Sequence, residues 1–343
     1  MKTISRHVQL LRMGDKGIFG VGSEQTLLDI ELWESIVRVV SDIRKSPFEN
    51  ESDLLNRYNF TNASEAIEFV LNSNAIIHVD EFNESNRYSR NHLYYNYMRA
   101  TPSVVQRKIE SSSVTIIGCG GIGTNLAYYL STSGVGSITL VDDDVVEVSN
   151  LTRQVLFSES DIGLDKAEVV KREILKRNSE VKVSVKRMEI TSKDSLSELD
   201  RTDLYIVSAD SPFQLMDWIN QYCVDNHQAY VNIGYVNDIS VIGPFYIPNK
   251  TSCYKCADIT PGHDKKGEID DLCREINKNF KAATFPGVNG VAASYAFNDV
   301  IKYLGGFGDI LSANKRVGIH SSKCNFEFQN IIKNPRCKVC AVV

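Results

Sequence analysis

The chain has no stretch approaching the ~20 apolar residues that a membrane-spanning helix needs. It has no internal repeat and no low-complexity tract, so nothing in it calls for a repeat array or a disordered scaffold. Basic residues are not in excess: 38 Lys and Arg face 43 Asp and Glu, a formal net charge of −5. That balance argues against a nucleic-acid-binding surface as the main business. The opening MKTISRHVQLLRMG places charged and polar side chains where a secretion signal needs an unbroken apolar core. A cytoplasmic protein is expected, with neither a membrane nor a nucleic acid as partner.

At 343 residues the chain can bury a substantial core and has room for about two domains. Residues 1–82 carry short apolar segments separated by polar, glycine-containing turns. They are expected to form a small N-terminal α+β domain, winged-helix-like. In it, two or three strands lie between His7 and Ile30, and a helix follows with Leu32, Trp33, Ile36, Val37 and Val40 on one face. Asn62 followed by Glu65 resembles a capping signal for a second helix bearing Ala66, Ile67, Phe69 and Val70. The polar stretch from Asp80 to Arg90 is expected to link this unit to the next.

From Ser113 onward apolar strand candidates alternate with helical patterns: VTIIG, a helix through Leu126 and Leu130, SITLVD, a helix from Lys166, VKVSVK and LYIVSAD. Alternation of this kind argues for an α/β fold with a Rossmann-like, doubly wound, mostly parallel sheet over residues 83–343. Ligands bind such sheets at the carboxyl ends of the strands, where Asp142, Asp144 and Asp210 are all expected to fall.

The most informative run is VDDDVVEVSNLTRQ, Val141 to Gln154. It follows Gly118-Cys119-Gly120-Gly121-Ile122-Gly123 at the distance one strand-helix-strand unit requires. The glycines let backbone approach a phosphate, and the next helix's N-terminus offers free N–H groups and a positive dipole end. A glycine loop alone fits an ordinary NAD or flavin fold equally well. The acidic run with Arg153 and Gln154 behind it suits an enzyme that breaks a phosphoanhydride. Lys166 could reach a phosphate or simply be solvated. Asp210 could hold magnesium or cap a helix. Arg87 and Arg90, in NRYSRN, read on their own as surface charge.

Eight cysteines in a chain of this size are more suited to thiolates or buried thiols than to disulfides. Cys253-Tyr-Lys-Cys256 and Cys337-Lys-Val-Cys340 have the spacing of a closed four-cysteine zinc site, which ties chain segments together and leaves no open coordination position. Cys119 is expected to be a small residue of the glycine loop, and Cys223, Cys273 and Cys324 to be buried hydrophobes.

GCGGIG, the acidic run with NLTRQ, Lys166, SAD ending at Asp210 and the two CxxC pairs together resemble the adenylating enzymes related to ubiquitin activation. These include the molybdopterin- and thiamine-pathway activators of sulfur-carrier proteins. The resemblance covers roughly Asn86 to Cys340. The extra N-terminal domain and the stretches NLTRQVLFSE, KRNSE, VSADSPF and GYVNDIS resemble one branch in particular. That branch transfers a nucleotide to the C-terminal asparagine of a short ribosomal peptide, giving microcin C-like antibiotics.

The resemblance implies that Gly118, Gly120, Gly121 and Gly123 pack close to the nucleotide and that Asp142, with Asp144 near it, serves the ribose side. It implies that Asn150, Arg153, Gln154 and Lys166 surround the phosphates, that Asp210 holds magnesium, and that the four paired cysteines hold a structural zinc. Arg90 would reach the phosphates of a neighbouring subunit, which implies a homodimer. The nucleotide is ATP or CTP. Carboxylate activation would lead through a succinimide to an N–P bond. Residues from about Asp258 to Thr284 would cover the peptide's C-terminus, and the N-terminal domain would hold the rest of the peptide. Adenylation of the C-terminal glycine of a ubiquitin-like sulfur-carrier protein is the alternative, and a non-catalytic peptide-binding module is a third. Two departures stand out: Asn279 lies near the position of the thioester-forming cysteine, with Cys273 nearby, and Asn91 replaces the usual glutamine after Arg90.

Overall fold

The computed structural model describes residues 1–20, 22–256, 267–277 and 282–341. It divides into two units, Met1–Lys108 and Ile109–Val343.

The first unit contains β1 (Lys2–Ile4), β2 (Leu10–Met13), β3 (Lys16–Phe19), β4 (Thr26–Asp29), α1 (Ile30–Lys45), α2 (Glu51–Leu55), α3 (Ala63–Asn72), β5 (Ile76–His78) and α4 (Ser89–Tyr97); α5 (Pro102–Ser111) runs across its end. Strands β2, β3 and β4 form an antiparallel meander, and β1 pairs separately with β5. In α1, Ile36, Val39, Val40 and Ile43 recur at helical spacing, so they share one face and are fully buried. They pack with Ile67 and Val70 of α3 and with Phe19 of β3. Each such side chain removes enough apolar surface from water to contribute about 1.5–3 kcal/mol.

Two local expectations fail here. Asn62 sits in the left-handed region, φ 64°, and its side chain caps nothing. The stretch 80–90 is not simply a link between units. Glu81 accepts hydrogen bonds from Ser103 N and Oγ at 2.6 and 2.7 Å, and His92 Nδ1 lies 3.2 Å from the Glu81 carbonyl, so α4 and α5 are fastened to it.

The second unit is an eight-stranded sheet in the order β13-β12-β11-β10-β9-β6-β7-β8. Its strands are β6 (Ser113–Ile117), β7 (Ser137–Val141), β8 (Lys182–Lys186), β9 (Leu204–Val207), β10 (Tyr230–Val236), β11 (Ile239–Tyr246), β12 (Lys315–His320) and β13 (Asn325–Asn330). The helices are α6 (Gly121–Thr132), α7 (Lys166–Arg177), α8 (Leu215–Asp225), α9 (Glu268–Asn277) and α10 (Pro286–Gly305). From β10 to β8 neighbours run parallel, and from β10 to β13 they run antiparallel. The chain leaves β6 towards β7 on one side and returns to β9 on the other. The crevice between β6 and β9 is therefore the switch point at which α/β sheets bind ligands. The parallel strands read as continuous apolar runs because both faces are covered: Leu204, Tyr205, Ile206 and Val207 are all buried. The doubly wound, mostly parallel sheet expected from the alternation is the one that forms.

The turn from β6 into α6 is held by close backbone approach. Gly118 has φ 95°, and a Cβ there would lie 2.8 Å from Ala209 N. A Cβ on Gly123 would lie 1.9 Å from the Gly118 carbonyl oxygen. Gly123→Ala is accordingly expected to lose about 2–4 kcal/mol in chemical denaturation, since backbone has to move to admit one methyl.

Candidate functional site

At the carboxyl ends of β6, β7 and β9 lies a cavity of about 620 Å³. Gly118, Gly120 and Gly121 form one wall, Asp142, Asp143 and Asp144 the next, and Ser208, Ala209 and Asp210 the wall across the switch point. Arg153, Gln154 and Lys166 enter from the segment between β7 and α7 and from the first residue of α7.

Hydrogen bonds fix this geometry. Asp142 accepts Cys119 N–H at 2.6 Å through Oδ2 and Asp144 N–H at 3.0 Å through Oδ1, so one carboxylate braces both the glycine loop and the acidic run. Burial raises its pKa above the usual aspartate value, while the two N–H donors and nearby Lys166 oppose the rise. Lys166 is buried and donates to Asp144 Oδ2 at 2.6 Å, and its N–H donates to the Asp144 carbonyl at 3.0 Å. Ser208 Oγ donates to the Gly118 carbonyl at 2.8 Å and ties the two strand ends together. Arg153 is half-buried and held by the Ser149 carbonyl at 2.7 Å. Gln154 is buried with Oε1 unpartnered at the cavity wall.

The other expected residues stand elsewhere. Gly123 is packed beneath the glycine loop rather than at the cavity. Asn150 is buried and caps the short 3-10 turn Val148–Asn150, its Oδ1 accepting Glu147 N–H at 3.0 Å. Arg90 is exposed on α4, in the first unit. Asn279 and most of the stretch 258–284 lie outside the described residues. Cys273 lies on α9 and is exposed, as is Cys324, so neither is the buried hydrophobe expected; Cys119 and Cys223 are buried. Burial pushes the Cys119 and Cys223 thiols up, which keeps them unreactive.

One cavity residue has no motif to announce it. Asn289, in the first turn of α10, is buried and closes over Gly121, where a Cβ would lie 2.8 Å from its Nδ2. Its amide donates to Thr284 Oγ1 at 3.1 Å and to the Phe285 carbonyl at 3.3 Å.

Cys253, Cys256, Cys337 and Cys340 converge, with all four Sγ atoms within 4.8 Å of one another. Three of the sulfur separations are 3.9, 3.7 and 3.3 Å. Tetrahedral zinc at about 2.3 Å from each sulfur spaces its ligands by about 3.8 Å, so the set fits. The loop bearing the first pair is anchored where Tyr254 N–H donates to Tyr230 Oη at 2.8 Å and to Asn220 Oδ1 at 3.1 Å.

The first unit has a cavity of its own, about 400 Å³. Val8, Phe19, Phe69 and Ala75 make its apolar floor, with Phe19 and Phe69 edge to face at 5.0 Å, and Glu65 and Glu68 stand on its α3 side. Strand β4 borders it through Thr26 and, among the described residues, pairs with β3 alone.

A glycine-rich β6–α6 turn facing acidic and basic side chains across a switch point defines a nucleotide-binding α/β domain. The chain belongs to the ThiF family, whose model matches residues 88–339. Over 99% of both chains it is similar to crystal structures of Escherichia coli MccB: with MccA-N7isoASN (TM-score 0.92, 42% identity), with a succinimide (0.92, 42%) and with ATP (0.91, 41%). Among curated relatives it is 36% identical over 138 residues to the adenylyltransferase and sulfurtransferase UBA4 of Debaryomyces hansenii. It is 32% identical over 154 residues to the sulfur carrier protein ThiS adenylyltransferase of E. coli. These alignments take in 39% and 44% of this chain, and 30% and 60% of the relatives' length. The resemblance read from the motifs therefore holds. Among the described residues no helix is long and apolar enough to cross a membrane.

The cysteine cluster lends itself to direct measurement. Metal analysis of the purified protein is expected to give about one zinc per chain, and Cys253→Ser or Cys337→Ser to lose it together with several degrees of melting temperature. Full metal retention in both variants would rule the four-sulfur site out.

Proposed function

We propose that this chain transfers a nucleotide monophosphate from ATP to the C-terminal asparagine of a short peptide, in making a microcin C-like antibiotic. The observation that carries the reading is the similarity to MccB over 99% of both chains, N-terminal unit included. Alignments to the sulfur-carrier activators of E. coli take in only 44–68% of this chain, which weighs against a carrier protein as substrate.

In this reading the peptide carboxylate attacks the α-phosphorus and pyrophosphate leaves. The asparagine side-chain nitrogen then displaces AMP to close a succinimide; that nitrogen attacks the α-phosphorus of a second ATP, a second pyrophosphate leaves as the N–P bond forms, and water opens the ring. The chain's part is positioning and charge. Asp142 accepts hydrogen bonds from the ribose, Gly118, Gly120 and Gly121 admit the phosphates, and Arg153, Gln154 and Lys166 contact them. Five carboxylates (Asp142, Asp143, Asp144, Glu189, Asp210) line the cavity against two cations, Arg153 and Lys166. A triphosphate entering that field needs added positive charge. Asp210 would hold magnesium, which would supply a Lewis acid there, and Arg90 of a second copy would supply a guanidinium, so the working form is a homodimer. Zinc at the cysteine cluster has a structural role. The N-terminal unit holds the body of the peptide in the cavity beside β4, whose outer edge is unpaired among the described residues and can pair with an extended chain.

Mass spectrometry of an asparagine-terminated peptide incubated with magnesium and ATP or CTP is expected to show a gain of one nucleotide monophosphate. An unmodified peptide with both nucleotides would overturn the reading. Lys166→Ala and Asp210→Ala are each expected to cut turnover by about a hundred- to a thousandfold. Mixing inactive Arg90→Ala with inactive Lys166→Ala is expected to restore part of the activity, because a mixed dimer keeps one complete site. Nucleotide affinity is expected to fall with decreasing pH. The fall should begin above the ordinary aspartate range near 3.9, because burial raises the Asp142 carboxyl and protonation removes its acceptor capacity.

A further inference from the structure

The cavity of the second unit has a half that the nucleotide leaves free. Along the sheet Asp142 follows β7, the glycine loop follows β6, and β9 and β10 come next. With the ribose at Asp142 and the phosphates at the glycine loop, the wall left to the end of the peptide is that of β9 and β10. Two side-chain amides line it, Asn232 of β10 and Asn289 of α10. Asn232 pairs with Val207, the last residue of β9, and on its other side Gly243 and Pro244 of β11 both stand between the pairs Val231–Phe245 and Ile233–Ile242. Bulges of this kind recur beside binding sites, where they re-aim side chains. Ser240 Oγ donates to the Val288 carbonyl at 2.8 Å and Asn237 Oδ1 accepts Ala283 N–H at 3.1 Å, so the first turn of α10, with Asn289 in it, is fastened to the same pair of strands.

The hydrogen-bonding capacity of these amides is not used up. Asn289 Nδ2 donates to Thr284 Oγ1 and to the Phe285 carbonyl, and Oδ1 is left without a donor among the described residues. Turning that amide over would set oxygen against the Phe285 carbonyl, so its orientation is fixed. The carboxamide of half-buried Asn232 makes no hydrogen bond at all among the described residues. One wall therefore presents an oriented acceptor from α10 and a free amide from β10. A carboxamide on the ligand answers both, its NH2 meeting Asn289 Oδ1 and its oxygen taking a hydrogen from Asn232.

We propose that Asn232 and Asn289 hold the side-chain carboxamide of the peptide's terminal asparagine and are the residues that tell it from aspartate. The proposal rests on the peptide-transfer reading and deepens it. Aspartate offers oxygen where asparagine offers NH2, so Asn289 Oδ1 meets a second acceptor and its hydrogen bond is lost. The grip also sets which way round the carboxamide lies. Asn289 closes over Gly121, at the start of α6, so the nitrogen it holds is on the side of the glycine loop, where it has to react.

The test uses the full chain and pairs of short peptides identical but for the last residue, asparagine or aspartate, with a fluorophore at the other end. Anisotropy titrations give the ratio of the two affinities, in which whatever holds the rest of the peptide cancels. The acidic lining disfavours aspartate by charge alone, so the variants decide. Asn232→Ala and Asn289→Ala are each expected to lower the preference for asparagine by on the order of tenfold. Asn232→Ser, which keeps a donor, is expected to lower it less. Loosened packing around Thr284 and Phe285 in Asn289→Ala weakens both peptides alike and does not move the ratio. A ratio unchanged in both alanine variants, or a wild-type chain that shows no preference or binds neither peptide, overturns the proposal. Nucleotide transfer measured on the same peptides separates the two ideas. An asparagine peptide that is modified while the ratio stays put in the variants sinks the amide reading alone. A ratio that falls as expected, with a peptide that is never modified, sinks the transfer reading.

Discussion

The approach of the Gly118 turn to the end of β9 is the constraint on which the second unit's cavity depends. Strand β6 stops at Ile117, and the chain must reverse into α6 without moving away from its neighbour. It does so with a left-handed residue placed where a side chain would meet Ala209 N. Ser208 Oγ then seals the contact through the Gly118 carbonyl. Because that carbonyl also lies against Gly123, the first turn of α6 cannot shift outward independently. The helix N-terminus and the β9 end, bearing Asp210, are thereby held on opposite walls of one crevice. Asn289 extends the same packing from α10 by closing over Gly121.

Electrostatics follow from that frame. A lysine as buried as Lys166 needs a partner, and Asp144, itself largely exposed, provides one at 2.6 Å. The pair leaves the ammonium poised at the cavity edge, and Asp144 stays open to water. Asp142 is in the opposite position: it is desolvated, yet it keeps two backbone donors that favour its charged form. Adjacent carboxylates in one run thus have different environments. The outer one neutralises a cation, and the inner one is organised as an acceptor.

Sequence made this part of the molecule legible because its determinants are local. The glycine loop, the acidic run and Lys166 are separated by single elements, and each side chain's place follows from a strand end or a helix start. Long-range closure was less visible. Strands β1 and β5 are three residues each and pair across more than seventy positions, too short for any alternation to register. In α4, SRNHLYYNY has no apolar stripe, yet His92, Leu93, Tyr95 and Asn96 are buried; Asn96 donates to the Ile76 carbonyl at 3.3 Å. Polar residues buried inside a core look like linker from sequence alone, which is why the expected boundary at 82 and the observed division after Lys108 differ. Asn150 shows the converse: a residue within the most informative motif serves backbone geometry, and its buried amide caps a turn. Asn289 lay outside every motif because it acts through tertiary packing on a glycine 168 positions away.

The two cavities pose different physical problems, each unit taken by itself. In the second unit's cavity the five carboxylates outnumber the two cations. A polyphosphate entering such a lining meets net negative charge unless a cation accompanies it. The first unit's cavity sets Glu65 and Glu68 beside an apolar floor of Val8, Phe19, Phe69 and Ala75, a lining that favours an occupant with apolar surface over an anionic one.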